Sequence, residues 1–464
     1  MNEDVTKMSA VELVSGYRDG RFTPLEVVEA SLERAEALQD RLNAFVLIDR
    51  QGAMEEAQRS AERWEVGTPK GRLDGVPATI KDLVRTEGWP CRYGSHTTSQ
   101  APMEEDAPVT ARLREHGAVL IGSTTTPEYG WKGVTDGPLS GVTRNPWDAA
   151  KTPGGSSGGA AVAAAACIAP LNVGTDGGGS IRIPAAFAGV FGLKPSFGLV
   201  PAYPSSPFGN VAHVGPITRT VRDAATMMTA ITEPDPRNWH PLPEQANDYT
   251  NGLDEGIAGV KVAFSPSLGG HPVDPEVAAL VAAAAGRFAE LGAEVEEVDP
   301  PAPESLKRDF EALWYAGAAN LMRRFGEDER AGMDPGLLEI AAAGGELSLI
   351  DYLAAGARRR DFQLAMSLFH QDWDLLLTPA MPITAFEAGL EVPQGSGMRR
   401  WIDWTPFSYP YNMTGQPAAA VPCGLTSAGL PASLQIVGAL YADGLVLRAA
   451  QAFETLRPFV MPEL

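Results

Sequence analysis

The sequence predicts an α/β protein in which helices cover the faces of a parallel or mixed β-sheet. Three observations support this fold class. From about Gly71, short apolar runs alternate with loops rich in Gly, Pro, Ser and Thr. Strand, helix and strand patterns follow one another at 260–264, 275–291 and 293–298, which is a βαβ unit. The chain has 464 residues and is 44% hydrophobic and 20% charged, so its composition is that of a folded protein with a large core.

The other elements follow from local patterns along the chain. The N-terminal region is predicted to be helical, because Thr23-Pro24-Leu25-Glu26 is a capping box with proline at the first helical position. Apolar residues then recur at helical spacing, at Leu25, Val28, Leu32, Ala35, Leu38 and Leu42. Further strands are predicted at 76–80, 118–121, 171–174, 373–377 and 418–421, and further helices at 158–168 and 220–231.

The polar, Pro-rich segment 233–256 is the best candidate for a linker between domains. The same segment also fits a surface loop, and the sequence contains no repeat of fixed period. We therefore expect one large α/β domain rather than two.

The bulk chemistry of the chain excludes several classes of partner. The formal net charge is −21, so the surface repels phosphate backbones and anionic membranes. Cys91, Cys167 and Cys423 lack CxxC spacing and indicate neither a disulfide framework nor a zinc site. The polar N-terminus lacks a signal-peptide pattern, and the longest apolar stretch, 160–173, is too short to span a bilayer. We expect a cytoplasmic protein that binds neither nucleic acid nor membrane.

Two glycine-serine segments, 152–159 and 174–184, carry the candidate chemistry. Glycine permits positive φ and close approach of a ligand to the main chain, and successive N–H groups in such loops bind anions. Phosphate binding is one interpretation, but neither segment has the lysine of a P-loop or the GxGxxG pattern. Acyl transfer by a serine is the other, and we favour it.

A serine nucleophile needs a base for its proton and backbone donors for the oxyanion. Ser180 directly follows Gly177, Gly178 and Gly179, so successive N–H groups can converge near its Oγ. None of the six histidines lies in a glycine-serine motif, and His213 is the nearest in sequence. A Ser–His–Asp triad would therefore have to recruit its histidine from elsewhere in the fold.

Lysine is the alternative base. Lys81 follows the apolar run 76–80, so it is expected at the end of a buried strand. Burial disfavours the ammonium form and lowers the pKa of a lysine. A shift from about 10.4 to near neutrality requires roughly 4–5 kcal/mol of differential destabilisation. The carboxylate of Asp82 would oppose that shift, so we expect it to point away, toward backbone donors.

The chain resembles the amidase signature family, and a series of motifs in the family's order carries the resemblance. These motifs are Gly75-Val76-Pro77 with Lys81-Asp82, Thr143-Arg144-Asn145-Pro146-Trp147, Gly154-Gly155-Ser156-Ser157-Gly158-Gly159, Gly174 through Pro184, and Gly189-Val190-Phe191-Gly192-Leu193-Lys194-Pro195. They cover about 71–215 densely, and Tyr411-Asn412-Met413-Thr414-Gly415-Gln416-Pro417 with Val421-Pro422 extends the resemblance toward the C-terminus. Such a series is far more specific than any one short motif.

The resemblance implies the amidase signature fold, a large twisted mixed β-sheet covered by helices on both faces. It also implies a single amidase domain over 1–464. Within it we expect an N-terminal helical region at 1–65, a signature core at 66–232 and a C-terminal α/β part at 257–464 that lines the substrate pocket.

The resemblance further implies a Ser–Ser–Lys catalytic triad. The family's two serines lie 24 positions apart, and Ser180 follows Ser156 by 24, which selects Ser156 rather than Ser157 as the relay. Ser180 is then the nucleophile and Lys81 the base, and the Gly155–Ser156 peptide bond is expected to be cis.

Neighbouring residues are expected to hold the oxyanion and support the loops. The predicted oxyanion hole is formed by the N–H groups of Gly177, Gly178 and Gly179, and the predicted structural supports are Ser157, Asp176 and Arg182. Many relatives carry a bulkier residue where this chain has Gly177. An all-glycine loop is therefore expected to be more open and more mobile.

Substrate-binding residues are expected in two segments. Tyr129, Gly130 and Trp131 match a segment that lines the site in relatives, and Phe208 lies in the loop after the signature core. A further aromatic group precedes the C-terminal motif and forms either core or an apolar binding wall: Trp401, Trp404, Phe407 and Tyr409.

Together these features predict an amidase that hydrolyses the C–N bond of small neutral apolar or aryl amides through an acyl-enzyme on Ser180. Carbamates and esters fit the same chemistry. The main alternative is the A subunit of a glutamyl-tRNA amidotransferase, which is similar in its motifs and needs partner subunits. A non-catalytic binding protein of the same fold is the second alternative. We expect no cofactor, no metal, and a monomer or homodimer.

Overall fold

The computed structural model describes residues 4–242 and 247–464. Within those residues, eleven strands form one mixed sheet and two short strands form a separate ribbon. The strands are β1 Phe45–Ile48, β2 Pro77–Lys81, β3 Val119–Thr124, β4 Asp136–Gly137, β5 Gly141–Val142, β6 Leu171–Asp176, β7 Phe191–Lys194, β8 His213–Thr218, β9 Lys261–Phe264, β10 Glu294–Glu297, β11 Leu375–Pro379, β12 Ala418–Leu425 and β13 Pro431–Gly438. The large sheet has the order β1-β3-β2-β6-β8-β7-β12-β13-β11-β9-β10, and β4 pairs with β5.

Helices pack on both faces of this sheet. They are α1 Ala10–Arg18, α2 Pro24–Leu42, α3 Arg50–Glu65, α4 Pro108–Glu115, α5 Gly158–Ala165, α6 Arg182–Ala188, α7 Val221–Ile231, α8 Pro275–Glu290, α9 Leu306–Met322, α10 Glu327–Arg330, α11 Pro335–Gly345, α12 Leu349–Asp372, α13 Pro410–Thr414 and α14 Asp443–Leu456. In β11, Leu375 and Leu377 enter the hydrophobic core under α4, α7, α8 and α14. Leu376 between them enters the opposite core, under α5, α6, α9, α11 and α12. The predicted α/β fold with helices on both faces is confirmed.

The local sequence signals that were singled out form the elements expected of them. Thr23 and Glu26 form the capping box of α2: the Glu26 N–H donates to Thr23 Oγ1 at 3.3 Å, and the Thr23 N–H donates to the Glu26 carboxylate at 2.7 Å. β9 and β10 pair in parallel on either side of α8 in sequence, as the βαβ pattern predicted.

The glycines at the start of α5 allow this helix to pack very closely, as its small residues predicted. A Cβ on Gly158 would lie 2.3 Å from Thr135 Oγ1, and one on Gly159 would lie 2.4 Å from the carbonyl oxygen of Ala44. Every residue of α5 is buried. Because α5 starts directly after Ser157, this close packing fixes the first glycine-serine segment against the sheet.

Segments before and after the predicted linker contribute strands to the same sheet. β12, from the C-terminal part, pairs antiparallel with β7, from the signature core, with Ala419 opposite Leu193. Of the predicted linker 233–256, residues 243–246 lie outside the described residues, as do residues 1–3 of the predicted N-terminal region. Among the helices of the described chain, none is long and apolar enough to cross a membrane.

We predict that Gly159→Ala lowers the melting temperature, because the added methyl group meets the backbone of a neighbouring segment rather than a movable side chain. Overpacking of this kind costs about 1–3 kcal/mol. The matched control is Gly286→Ala in the exposed face of α8, where a Cβ meets nothing within 4 Å. That change is expected to stabilise by about 0.5–1 kcal/mol, because alanine favours the helix over glycine. Differential scanning calorimetry of the two variants measures both shifts, and equal effects would contradict the packing argument.

Candidate active site

Lys81 is the last residue of β2, and its side chain is fully buried. β2 lies inside the sheet between β3 and β6, so the lysine is enclosed on both edges of its strand. Burial lowers the pKa of the Lys81 amine well below its ordinary value, and the charge of Asp176 opposes this shift only in part. The predicted position of this lysine at the end of a buried strand is confirmed.

Three hydroxyl oxygens surround the Lys81 amine. Ser156 Oγ lies 2.7 Å from Nζ, and Ser157 Oγ and Thr175 Oγ1 each lie 2.9 Å away. The Ser157 hydroxyl donates to the carbonyl oxygen of Thr175 at 3.1 Å, so its oxygen accepts from the lysine. A neutral amine has two N–H groups and one lone pair. If Ser157 and Thr175 accept these two N–H groups, the lone pair of a neutral Lys81 is left for the Ser156 hydroxyl.

The two glycine-serine segments meet beside this lysine. The Gly155–Ser156 peptide bond is cis, as the resemblance implied. The N–H of Ser157 donates to the carbonyl oxygen of Ser180 at 3.1 Å, which ties the segments together. Ser156 and Ser180 line the same cavity. In the part of the chain that the structure describes, no hydrogen bond joins the hydroxyls of these two serines.

Asp176, at the end of β6, holds the Ser180 loop from behind. Its carboxylate accepts the N–H of Gly179 at 2.7 Å and that of Ile181 at 3.2 Å. It also pairs at 3.0 Å with the guanidinium of Arg182, and both side chains are fully buried. Burial raises the pKa of Asp176, but the charge and hydrogen bonds of Arg182, the charge of Lys194 and the hydrogen bond from Asn412 together outweigh that effect and hold the pKa well below its usual range.

Arg182 extends this support to the C-terminal part of the chain. Its guanidinium donates to the carbonyl oxygen of Ser408 at 2.8 Å, to Gln435 Oε1 at 2.8 Å and to Asn412 Oδ1 at 2.7 Å. The Asn412 amide in turn donates to Asp176 Oδ1 at 2.8 Å. The loop that carries Ser180 is thereby fixed to β13 and α13.

The predicted oxyanion hole needs one correction. The N–H of Gly179 is not available for an oxyanion, because it already donates to Asp176. Within the described residues, the N–H groups of Gly177, Gly178 and Ser180 have no acceptor. The run of glycines in the sequence does not show that the N–H of Gly179 already donates to the carboxylate of Asp176.

The expectation that the all-glycine loop is open is also wrong. A Cβ on Gly177 would lie 2.8 Å from the indole of Trp314, and one on Gly178 would lie 2.7 Å from Trp401 and 2.8 Å from Phe310. Aromatic rings from other segments therefore fill the space that side chains in this loop would take. Sequence alone suggested a gap because the rings lie more than 100 positions away along the chain.

The serines face a cavity of about 130 Å³ with mostly apolar and aromatic walls. Of the predicted substrate-binding residues, Tyr129, Gly130 and Phe208 line it. Trp131 does not: it is fully buried behind the wall, and its carbonyl oxygen accepts the indole N–H of Trp314 at 3.1 Å. The prediction for Trp131 is therefore wrong. Its neighbour Gly130 lines the cavity, but the side chain of Trp131 does not.

The aromatic group before the C-terminal motif belongs to the core. None of its members lines the cavity, and all are buried: Trp401, Trp404, Phe407 and Tyr409. Trp401 packs edge-on against Phe310 with ring centroids 6.0 Å apart, and Tyr409 stacks on the same ring at 5.0 Å. Trp401 and Phe310 lie against the position of a Gly178 side chain, so this part of the core supports the glycine loop from behind.

Sequence reasoning missed several residues of the site. Thr175 carries no motif signal beyond its place between two glycine-rich stretches, yet it is one of the three contacts of Lys81. Trp314 lies in α9, where helical periodicity predicts only a core position. The loop residues Tyr203 and Trp239 also line the cavity, and no pattern in the sequence marks them.

The other titratable candidates have structural contacts. His213 lines the cavity, but its Nδ1 lies 2.8 Å from the carbonyl oxygen of Val211, and burial lowers the pKa of its ring well below the ordinary value. In the described chain, no histidine is hydrogen-bonded to Ser180. Asp82 accepts the N–H groups of Arg92 at 2.7 Å and Gly94 at 3.0 Å, which confirms that it points toward backbone donors. Burial raises the pKa of Asp82 to about 6.

Comparison with known proteins agrees with this geometry. The family model Amidase matches residues 26–447. The chain belongs to the amidase signature family. An acylamidase of Rhodococcus erythropolis is 37% identical over 97% of this chain and 96% of its own length. The crystal structure of a bacterial aryl acylamidase of the same family superimposes with a TM-score of 0.90 at 33% identity, over 97% of this chain and 96% of that one.

A second group of relatives consists of amidotransferase components. The A subunit of the glutamyl-tRNA(Gln) amidotransferase from Gloeobacter violaceus is 35% identical over 93% of this chain and 92% of its own length. The greater similarity to the acylamidase favours hydrolysis over transfer. The chain is thus an amidohydrolase, and the function predicted from its sequence is confirmed at that level.

We predict that Arg182→Met strongly destabilises this amidase, because it leaves the buried carboxylate of Asp176 without its cation. Breaking a buried pair in this way costs about 3–5 kcal/mol. The control is Arg222→Met, which removes an ion pair with Asp254 on the surface, where such pairs contribute about 0–1 kcal/mol. Thermal unfolding of both variants gives the comparison. Similar melting temperatures for the two variants would show that the Asp176 brace is not a stabilising element.

Proposed function

We propose that this amidase hydrolyses small neutral apolar or aryl amides, with Ser180 as nucleophile, Ser156 as proton relay and Lys81 as base. The observation that carries the proposal is the Lys81 amine, held 2.7 Å from Ser156 in a site whose burial favours the uncharged form. A neutral amine is the form that can accept a proton. The hydroxyls of Ser157 and Thr175 support this role by taking the two N–H groups of the amine.

In the acylation step, Ser180 Oγ attacks the amide carbonyl carbon and gives its proton to Ser156, while Ser156 gives its own proton to Lys81. This transfer requires the Ser180 hydroxyl to turn toward Ser156 when substrate binds. The charged lysine then returns a proton through Ser156 to the leaving nitrogen, so that a neutral amine departs. In deacylation, water attacks the acyl carbon and gives its proton through Ser156 to Lys81. The lysine then returns a proton through Ser156 to Ser180 Oγ as the acid leaves.

We infer that the oxyanion of each tetrahedral intermediate is held by the N–H groups of Gly177, Gly178 and Ser180. Donors that are already oriented in a dry site stabilise developing charge without reorganisation. The brace of Asp176 on Gly179 and Ile181 supports that orientation, because it fixes the peptide planes on both sides of Ser180.

The chemistry of the cavity wall supports a neutral substrate. Among the described residues that line it, none is Asp, Glu, Lys or Arg. Aromatic rings and apolar side chains supply most of the surface, which fits an aryl or other apolar group. Carbamates and aryl esters belong to the same proposal, because each forms an acyl-enzyme on the same serine and releases a neutral or stabilised leaving group.

The amidotransferase alternative fits this cavity less well. A free amino acid such as glutamine carries an ammonium and a carboxylate, and a wall without charged side chains offers neither of these groups an ionic partner. A second protein that co-purifies in equal amount would favour the transferase instead.

We propose that residues 1–464 form one amidase domain, with the N-terminal region 1–65, the core 66–232 and the C-terminal part 257–464. This domain acts as a cytoplasmic monomer or homodimer. The intact serines and lysine argue against a non-catalytic binding protein.

We predict that Ser180→Ala abolishes hydrolysis of a neutral anilide and covalent labelling by a fluorophosphonate, while the melting temperature changes little. The reason is that the substitution removes the proposed nucleophile but none of the contacts of Asp176. Ser205→Ala is the matched control, because Ser205 lines the same cavity on the opposite loop. Residual turnover in a pure Ser180→Ala sample would exclude Ser180 as nucleophile.

We predict that Lys81→Ala reduces the kcat/KM of an anilide much more than that of a nitrophenyl ester, because an amine leaving group needs a proton and nitrophenolate does not. Wild-type kcat/KM for the anilide should rise with pH as Lys81 loses its proton, with a midpoint well below the free-lysine value of about 10.4. Lys81→Arg places a permanently charged guanidinium at this position, which cannot deprotonate in this range, so the variant should be inactive on amides. Wild-type rates in Lys81→Arg would rule out the neutral-lysine mechanism.

A further inference from the structure

The cavity wall nearest the nucleophile loop is formed by one stacked pair of rings. Trp314 of α9 and Phe208 of the loop after the core lie almost parallel, with ring centroids 3.8 Å apart and an interplanar angle of 10°. Both rings line the cavity that contains Ser180. Trp314 is 3% exposed and Phe208 is 7% exposed, so the pair contributes a small, uncharged aromatic part of the cavity wall.

Contacts on its other sides fix the indole of Trp314. Its N–H donates to the carbonyl oxygen of Trp131 at 3.1 Å. Its ring stacks on Phe310 with centroids 5.5 Å apart and meets Trp401 edge-on at 5.7 Å. These contacts leave the ring no free rotation, so its position against the loop is set by the core rather than by the ligand.

The indole also occupies the place of a side chain in the loop. A Cβ on Gly177 would lie 2.8 Å from Trp314 Cζ3 and 3.0 Å from Cη2, both atoms of the six-membered ring. Gly177 and Trp314 are therefore a matched pair, in which a large residue on α9 is possible only because the loop residue has no side chain. A side chain at position 177, combined with a smaller residue at position 314, would fill the same space with an atom group of the loop instead of one from α9.

We propose that Trp314, with Phe208 stacked on it and Gly177 making room for it, determines which substrates this amidase accepts. The ring edge lies against Gly177, three residues before Ser180, so it limits the bulk of the group that is attached to the reacting carbonyl on that side. A planar aryl or unbranched group lies along the stacked rings, whereas a branched group meets the indole. This inference rests on the proposed role of Ser180.

Two substrate series test the inference and distinguish the two groups that can face the rings. In one series the acyl part of an anilide grows from acetyl to isobutyryl and pivaloyl. In the other the acyl part stays acetyl, and the aniline gains ortho alkyl groups. The measured quantity in each series is the ratio of kcat/KM for the bulkiest member to kcat/KM for the smallest member. We expect Trp314→Leu to raise this ratio about tenfold in one of the two series, which is the usual effect of one or two methyl groups in a tight pocket.

The series in which the ratio rises identifies the group that lies against the rings. Phe208→Leu should change the same ratio in the same direction, and it provides the result if Trp314→Leu does not fold. Trp404→Leu is the control, since it removes an equally buried indole that does not line the cavity. It should lower the melting temperature and leave both ratios within about twofold of wild type.

A double-mutant cycle tests the pairing of Gly177 with Trp314. Gly177→Ala alone should reduce kcat/KM for acetanilide about tenfold or more, because the new methyl group displaces either the loop or the indole. Combined with Trp314→Leu, the same change should have little effect, since the space is then free. Strictly additive effects, or unchanged ratios in both Trp314→Leu and Phe208→Leu, would overturn the inference. Fluorophosphonate labelling of the same variants at Ser180 reports separately on the proposed nucleophile.

Discussion

The geometry of the active site depends on one buried ion pair, that of Asp176 with Arg182. It is the point at which the central strand β6, the Ser180 loop and the C-terminal segments meet. A carboxylate that accepts two loop N–H groups and faces a guanidinium fixes the main chain on both sides of Ser180. Because both charges are fully buried, any loosening of the loop would expose an unpaired charge to an apolar environment. The arrangement therefore holds the loop rigid without a bulky side chain in it.

Burial disfavours the charged form of both titratable groups beside the serines, Asp176 and Lys81, but the outcome differs. Asp176 keeps its charge because a guanidinium compensates for the lost solvent. Lys81 has no such compensation beyond the more distant Asp176, so its pKa falls. The same dry site thus holds an ionised carboxylate, stabilised by its partners, next to an amine whose neutral form is favoured. The difference between them lies in their partners: a guanidinium for the aspartate and three hydroxyls for the lysine.

Aromatic residues connect the support of the loop with the shape of the cavity. Phe310 and Trp401 lie beside Gly178, and Tyr409 stacks on Phe310. Trp314 belongs to the same cluster, yet its other neighbour is Phe208 in the cavity wall. One aromatic cluster therefore packs against the loop on one side and lines the cavity on the other. The shape of the site and the rigidity of the loop are consequences of the same packing.

Features that depend on neighbours close along the chain could be predicted from the sequence. The capping box of α2, the βαβ unit, the strand-end burial of Lys81 and the 24-residue spacing of the serines are all patterns that a continuous stretch of chain carries. Three features became visible only in the folded chain: the N–H groups left free for the oxyanion, the orientation of Trp131 away from the cavity, and the position of Trp314 beside Gly177. The first outcome depends on how the loop turns back onto Asp176, and the other two depend on contacts between segments more than 100 residues apart. Neither a loop's path nor side-chain packing across such distances has a signature in local periodicity.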